Sequence, residues 1–326
     1  MLIPYFWAES RLQIKSPSKQ VTVKRWGWSD ISQKDAQSLA DSRAREAMDR
    51  ILNGEDVRRR EIKDAYGAED GVPIREEVVS RHGNIAITRN SYGSLCLNTP
   101  SVFFADVDAQ WRGALKIRPL GCLLIVLAAI AAGVWQRSFL LGAGLIIGLP
   151  WLWSRFNHWI NLKRRPLSEA RAKQQNMEAI HAFAAKHPEW HLRVYETPAG
   201  YRLLAMHDVF DPQSDTTRKA LEEMNSDRRF ATLCALQSCF RARVSPKYWR
   251  TGYKPKEVLP KSKWPFPAEH LARRQQWVDG YEAAAARFAS CRFVERLGSN
   301  VVHPDAEAVR ELHDRLCQSN TSLPLA

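Results

Sequence analysis

The sequence predicts an α+β fold on three observations. Two segments with two-residue alternation, 85–98 and 190–206, each fold back on a turn containing glycine. Stretches with helical spacing and capping residues lie around them. One apolar run, Pro119 to Trp153, interrupts the series. With that run set aside, the order from Val102 is strand, helix, strand, strand, helices, strand. This is the ferredoxin/RRM-like β-α-β-β-α-β order, with added helices.

In the first third, residues 11–28 hold strand-like runs, most clearly Val21 to Trp26. Ser29 or Asp30 then suits the N-cap of a helix reaching Leu52 and closing at Asn53-Gly54. Ile31, Ala36, Leu39, Ala40, Ala44, Met48 and Ile51 give it one modest apolar stripe. Arg58-Arg59-Arg60 lies among Glu55, Asp56, Glu61 and Asp64, which reads as a solvated mixed-charge segment. Residues 73–79 form a short element of undetermined type. From Ile85 the pattern is β, with a turn at Ser91-Tyr92-Gly93 and a further strand over 102–108.

The apolar run reads as a transmembrane helical hairpin. Its arms, about 15 to 17 residues each, flank Gln136-Arg137-Ser138 and approach the ~20 residues that span a hydrocarbon core. Trp135, Trp151, Trp153 and Trp159 cluster at the arm ends. A buried hairpin in a soluble core is the alternative, favoured by Pro150 and the short arms. Lys116, Arg118, Arg155, Lys163, Arg164 and Arg165 flank the hairpin, whereas its turn holds only Arg137. Basic flanks stay on the cytoplasmic side, so the expectation is an inner-membrane, two-pass protein with both termini cytoplasmic. The expected organisation is residues 1–117 and 155–326 completing one α+β domain, with 118–154 inserted.

After the run, Leu167-Ser168 opens a helix that Pro188 ends. Strands follow over 190–196 and 201–206, joined by Thr197-Pro198-Ala199-Gly200. Helices cover Asp211 to Phe240, broken near Asn225. Residues 241–267 read as an irregular basic and aromatic loop. A helix over 268–289, a strand over 291–297 and a helix from Pro304 to Cys317 complete the chain. The six cysteines show no CxxC pair or finger spacing, which fits reduced thiols better than a disulfide framework. The net charge of +13 is concentrated after residue 153, where 28 basic minus 19 acidic residues leave +9. That excess suits anionic membrane lipids or a nucleic-acid backbone.

Asp106 and Asp108 are the most suggestive pair. Two apart on a strand, they share a face, and paired carboxylates are commonly bridged by Mg²⁺ or Mn²⁺. The plain alternative is a strand end whose acids meet water. Gly200, Arg202 and His207 lie on the hairpin that the element order places beside Asp106, although Gly200 also reads as a turn glycine. Arg241, Arg243, Lys247 and Arg250, interleaved with Tyr248 and Trp249, suit a phosphorylated ligand or a single strand. The same composition suits a membrane-surface contact.

A strand ending in Asp106-Val107-Asp108, then a hairpin with Thr197-Pro198-Ala199-Gly200, then a basic helix and loop, resembles the archaeo-eukaryotic primase superfamily over residues 84–108 and 168–300. The resemblance implies a divalent metal at Asp106 and Asp108 and nucleotide phosphates at Gly200 and Arg202. Arg202 stands where that family has histidine, and a guanidinium does not deprotonate at neutral pH. Asp208 and Asp211 are the candidates for a third carboxylate. The functional expectation is a membrane-anchored domain binding a phosphorylated ligand, with a nucleotide and metal as one form of it. The alternatives are a non-enzymatic anchored scaffold contacting lipid or protein, and a nucleotidyltransferase. No residue is assigned a catalytic role.

Overall fold

The computed structural model describes residues 1–15, 20–61, 72–109, 127–132, 134–137, 139–254 and 264–326, with backbone alone for 139–147 and 161–166. The fold is α+β, and its described strands form three sheets. The chain divides into two compact units. One combines residues 1–107 with 179–326, and the other covers 108–178.

The first sheet is a hairpin of β1 (Phe6–Lys15) and β2 (Gln20–Ser29), antiparallel with Ala8 opposite Gly27. Helix α1 (Gln33–Leu52) lies against it. Ser32 caps α1 by accepting the Asp35 N–H, satisfying one of the donors a helix N-terminus leaves over. Its buried face is made mainly of alanines, Ala36, Ala40, Ala44 and Ala47, followed by Met48 and Ile51. Small side chains let the backbones approach closely. A Cβ on Gly27 would overlap the Ala36 carbonyl oxygen and the Ala40 nitrogen.

The second sheet has the order β3-β4-β5-β9, from β3 (Glu77–His82), β4 (Ile85–Arg89), β5 (Leu95–Thr99) and β9 (Phe240–Arg243). The turn between β4 and β5 closes as the sequence predicts, with Gly93 at φ +82°. The segment 73–79 contributes the start of β3. Arg241 and Arg243, expected in an irregular loop, belong to β9, which pairs with β5 from Cys96 to Thr99.

The third sheet carries the site. It contains β6 (Phe104–Asp108), β7 (His191–Thr197), β8 (Gly200–Ala205) and β10 (Arg292–Gly298), in the order β10-β7-β8-β6. Strand β8 lies between β6 and β7, as a split β-α-β unit requires. Strand β10, however, joins beside β7, whereas a ferredoxin-like order sets the last strand beside the first. Helices α3 (Asp215–Glu223), α4 (Arg228–Gln237) and α5 (Ala268–Ala285) lie between β8 and β10 in the chain, and helix α6 (Pro304–Cys317) buries Ala306, Val309, Leu312, His313, Asp314 and Cys317. Phe103 and Phe104 divide between the two faces of the sheet. Phe103 meets Trp190, Phe210 and Phe240, and Phe104 meets His313 at 5.4 Å between ring centres.

The membrane expectation is overturned. Among the described residues no helix is long and apolar enough to cross a membrane. The expected second arm is the start of a continuous helix α2 (Phe139–Lys186). Only sixteen residues, Phe139 to Ser154, precede Arg155, about 24 Å at 1.5 Å per residue against a core of ~30 Å. The first arm up to residue 126, with Lys116 and Arg118, lies outside the described residues, as do Cys122 and loop residues 255–263. The two-pass hairpin, the inner-membrane placement and the cytoplasmic orientation of both termini are corrected accordingly.

A candidate metal centre

Helix α6 places His313 and Cys317 four residues apart, hence on one face. The chain just before β10 brings Cys291 to that face. Ser290 N–H donates to the Cys317 carbonyl at 3.0 Å, and Phe293 N–H donates to the Ser319 carbonyl at 3.0 Å, fixing the segment against the helix end. Cys291 Sγ lies 3.8 Å from His313 Nε2, and the ligating atoms of Cys291, His313 and Cys317 all lie within 4.8 Å of one another. The three residues are 0%, 0% and 1% exposed.

Around this triangle the polar groups are ordered in layers. His313 Nδ1 donates to Asp314 Oδ1 at 3.1 Å, which turns Nε2 toward the sulfurs. Asp314 Oδ2 is gripped by Arg193 Nη2 at 3.2 Å and Arg310 Nη1 at 3.4 Å. The His313 ring sits between Phe104 and Tyr195, the latter at 4.7 Å. Burial lowers the His313 pKa, but the Cys317 sulfur and the bond to Asp314 outweigh it and leave it raised. Burial likewise opposes ionisation of Cys317, yet its bond with Cys291 and the nearby His313 and Arg202 hold it well below the ordinary thiol value. Cys291 is pushed well above, through its hydrogen bond to Cys317 and then burial. The Asp314 carboxyl is lowered, burial being outweighed by His313, Tyr195 and Arg193.

The residues singled out in the sequence divide among several places. Arg202, 5% exposed on β8, donates from Nε to Asp106 Oδ1 at 2.9 Å and from Nη1 to the Arg243 carbonyl at 2.7 Å. Asp106, two residues from Phe104, faces the α6 side of the sheet, and the Arg202 charge acts on both cysteines and on His313. The positive charge that a divalent cation would bring to Asp106 is thus brought by Arg202. Asp108 is exposed at the strand end. Gly200 opens β8 opposite Thr197 in a tight turn. Arg241 pairs with buried Glu76 at 2.6 Å, and that carboxylate also accepts from Thr88. Lys247 and Arg250 belong to a separate surface with Trp249, where the Lys247 ammonium lies 5.6 Å from the indole centre. His207 Nδ1 accepts the His191 N–H at 3.3 Å.

Sequence reading missed this candidate metal group. Its one local signal is His313-x₃-Cys317, and Cys291 joins only through the fold.

The chain matches no family model, no curated protein and no solved structure. The resemblance to the archaeo-eukaryotic primase superfamily is therefore not upheld. In the structure its proposed metal carboxylate, Asp106, is an ion-pair partner of Arg202.

Proposed function

We propose that the protein binds zinc at Cys291, His313 and Cys317, and that the ion ties α6 to the segment leading into β10. The observation that carries this reading is the Cys291 Sγ to His313 Nε2 separation of 3.8 Å. Tetrahedral zinc, with bonds of ~2.3 Å to sulfur and ~2.0–2.1 Å to nitrogen, puts the two atoms about 3.5 Å apart. Two thiolates with one imidazole form a soft, nitrogen-containing donor set that suits zinc over Mg²⁺ or Mn²⁺. The Asp314 carboxylate behind His313 is the outer-shell partner that metal-bound imidazoles commonly have.

Two thiolates balance the dication, so the centre adds no net charge to an interior that already holds the Arg202–Asp106 pair. Burial of all three ligands supports a structural role, since a catalytic zinc keeps a position open to substrate. The test is metal content of the purified full chain. About one zinc per chain is expected, with a fall in Tm on chelation because metal binding free energy is part of folding free energy. Cys317→Ser should lose the metal, whereas Cys96→Ser, a buried thiol outside the group, should keep it. Metal-free wild-type protein that takes up no added zinc would refute the reading.

A further inference from the structure

A second polar concavity lies in the N-terminal hairpin and helix, away from any residue assigned above. It is a cavity of about 240 Å³ whose wall includes Arg25, Arg43, Arg50, Arg58 and Arg60, opposed by Glu46 and Glu61. Five guanidinium groups less two carboxylates leave the wall at +3.

Three separate elements converge to make it. Helix α1 supplies Arg43, Glu46, Ala47 and Arg50, the i, i+3, i+4, i+7 positions of one helical face. Strand β2 supplies Arg25, whose Nη1 donates to the Lys24 carbonyl at 2.9 Å and whose Nη2 donates to the Arg58 carbonyl at 2.6 Å. The segment after α1 is drawn alongside β2 by the Lys24 N–H to Arg59 carbonyl bond of 3.0 Å and by a parallel bridge between Lys24 and Arg60. Extended backbone sends alternate side chains to opposite faces, so Arg58 and Arg60 line the cavity and Arg59 does not. The floor is apolar, from Ala47 and Val57. Arg43 is fixed by Glu61 at 2.8 Å and by the Trp28 ring, 4.6 Å from its guanidinium carbon. Arg25 and Arg43 are thus held in place by the fold, while Arg58, Arg60 and Arg50, the last paired with Glu55 at 2.7 Å, complete the wall from the exposed side.

We propose that this cavity binds a small ligand carrying two or more phosphate groups. Guanidinium forks match phosphate oxygens bidentately, and a wall of +3 suits a polyanion over a single phosphate. The volume is about eight times the ~30 Å³ share of a liquid water molecule and below the ~300–1,000 Å³ of pockets for drug-sized ligands. A few phosphate groups fit, and a long polymer does not.

The probe is inorganic tripolyphosphate, titrated calorimetrically into the full chain with inorganic phosphate as comparison. Saturable one-to-one binding is expected, with phosphate at least about tenfold weaker, a difference of ~1.4 kcal/mol. Arg50→Gln with Arg60→Gln, both exposed, should weaken tripolyphosphate at least about tenfold at unchanged Tm. Arg59→Gln, outside the cavity wall, should leave binding within about a factor of two. Three results would overturn the proposal: no binding by the wild type, an equal loss in Arg59→Gln, or single-stranded oligonucleotide binding that tripolyphosphate does not displace.

Discussion

Arg202 Nε donates to Asp106 Oδ1 at 2.9 Å, joining the middle of β8 to β6 beneath the end of α6. Burial alone would lower the pKa of this buried guanidinium, but the charges of Asp106, Cys291 and Cys317 together outweigh it and leave the pKa raised. Asp106→Asn leaves that cation in the interior without its countercharge. A loss of about 3 kcal/mol is expected, since breaking one side of a buried pair costs ~3–5 kcal/mol. Adding Arg202→Met should recover part of it. Urea unfolding of the single and double variants measures both, and a single variant as stable as wild type would contradict the pairing.

Gly27→Ala should destabilise the protein by roughly 3 kcal/mol, at the upper end for overpacking. The added Cβ meets backbone atoms of Ala36 and Ala40, which no side-chain rotation relieves. Equilibrium unfolding gives the magnitude. Gly54→Ala tests a different cost, because Gly54 has open space around it but φ at +89°. That strain should be the smaller of the two, roughly 1 kcal/mol as for a non-glycine left-handed residue.

Where local signals determine structure, the sequence was legible. The Gly93 and Gly200 turns, the alternation of 85–98 and 190–206 and the helix from Pro304 to Cys317 are all present. Strand β9 was not legible, because Arg241 and Arg243 read as loop cations until β5 provides the pairing edge. The apolar run misled because its second arm belongs to the start of α2, where Arg155 leaves only the sixteen residues from Phe139 to Ser154 before the first charge. Cys291 lies more than twenty residues from His313, so no spacing rule joins them. Arg58, Arg59 and Arg60 are exposed, as a solvated mixed-charge segment should be, but which of them line a cavity is set by the bridge of Arg60 to Lys24 on β2 and was not legible.

Stability should fall with acid in the imidazole range through His207. Its pKa is lowered by burial first, opposed by Asp208 and Glu189, and Nδ1 accepts the His191 N–H. A histidine lowered in the folded state binds fewer protons than in the unfolded chain. Its stability contribution is present above the unfolded value of about 6.5 and is lost as pH falls through the folded value. The Tm difference between wild type and His207→Gln should therefore narrow from pH 7.5 to pH 5.5. A difference independent of pH would show that the ring does not titrate in this way.

The most direct measurement on the proposed metal centre is X-ray absorption at the zinc edge of the zinc-loaded full chain. Two sulfur scatterers at ~2.3 Å with one imidazole nitrogen at ~2.0–2.1 Å are predicted, and Cys291→Ser should remove one sulfur. A shell of oxygen and nitrogen alone, or two sulfurs that survive both Cys291→Ser and Cys317→Ser, would contradict binding at Cys291, His313 and Cys317.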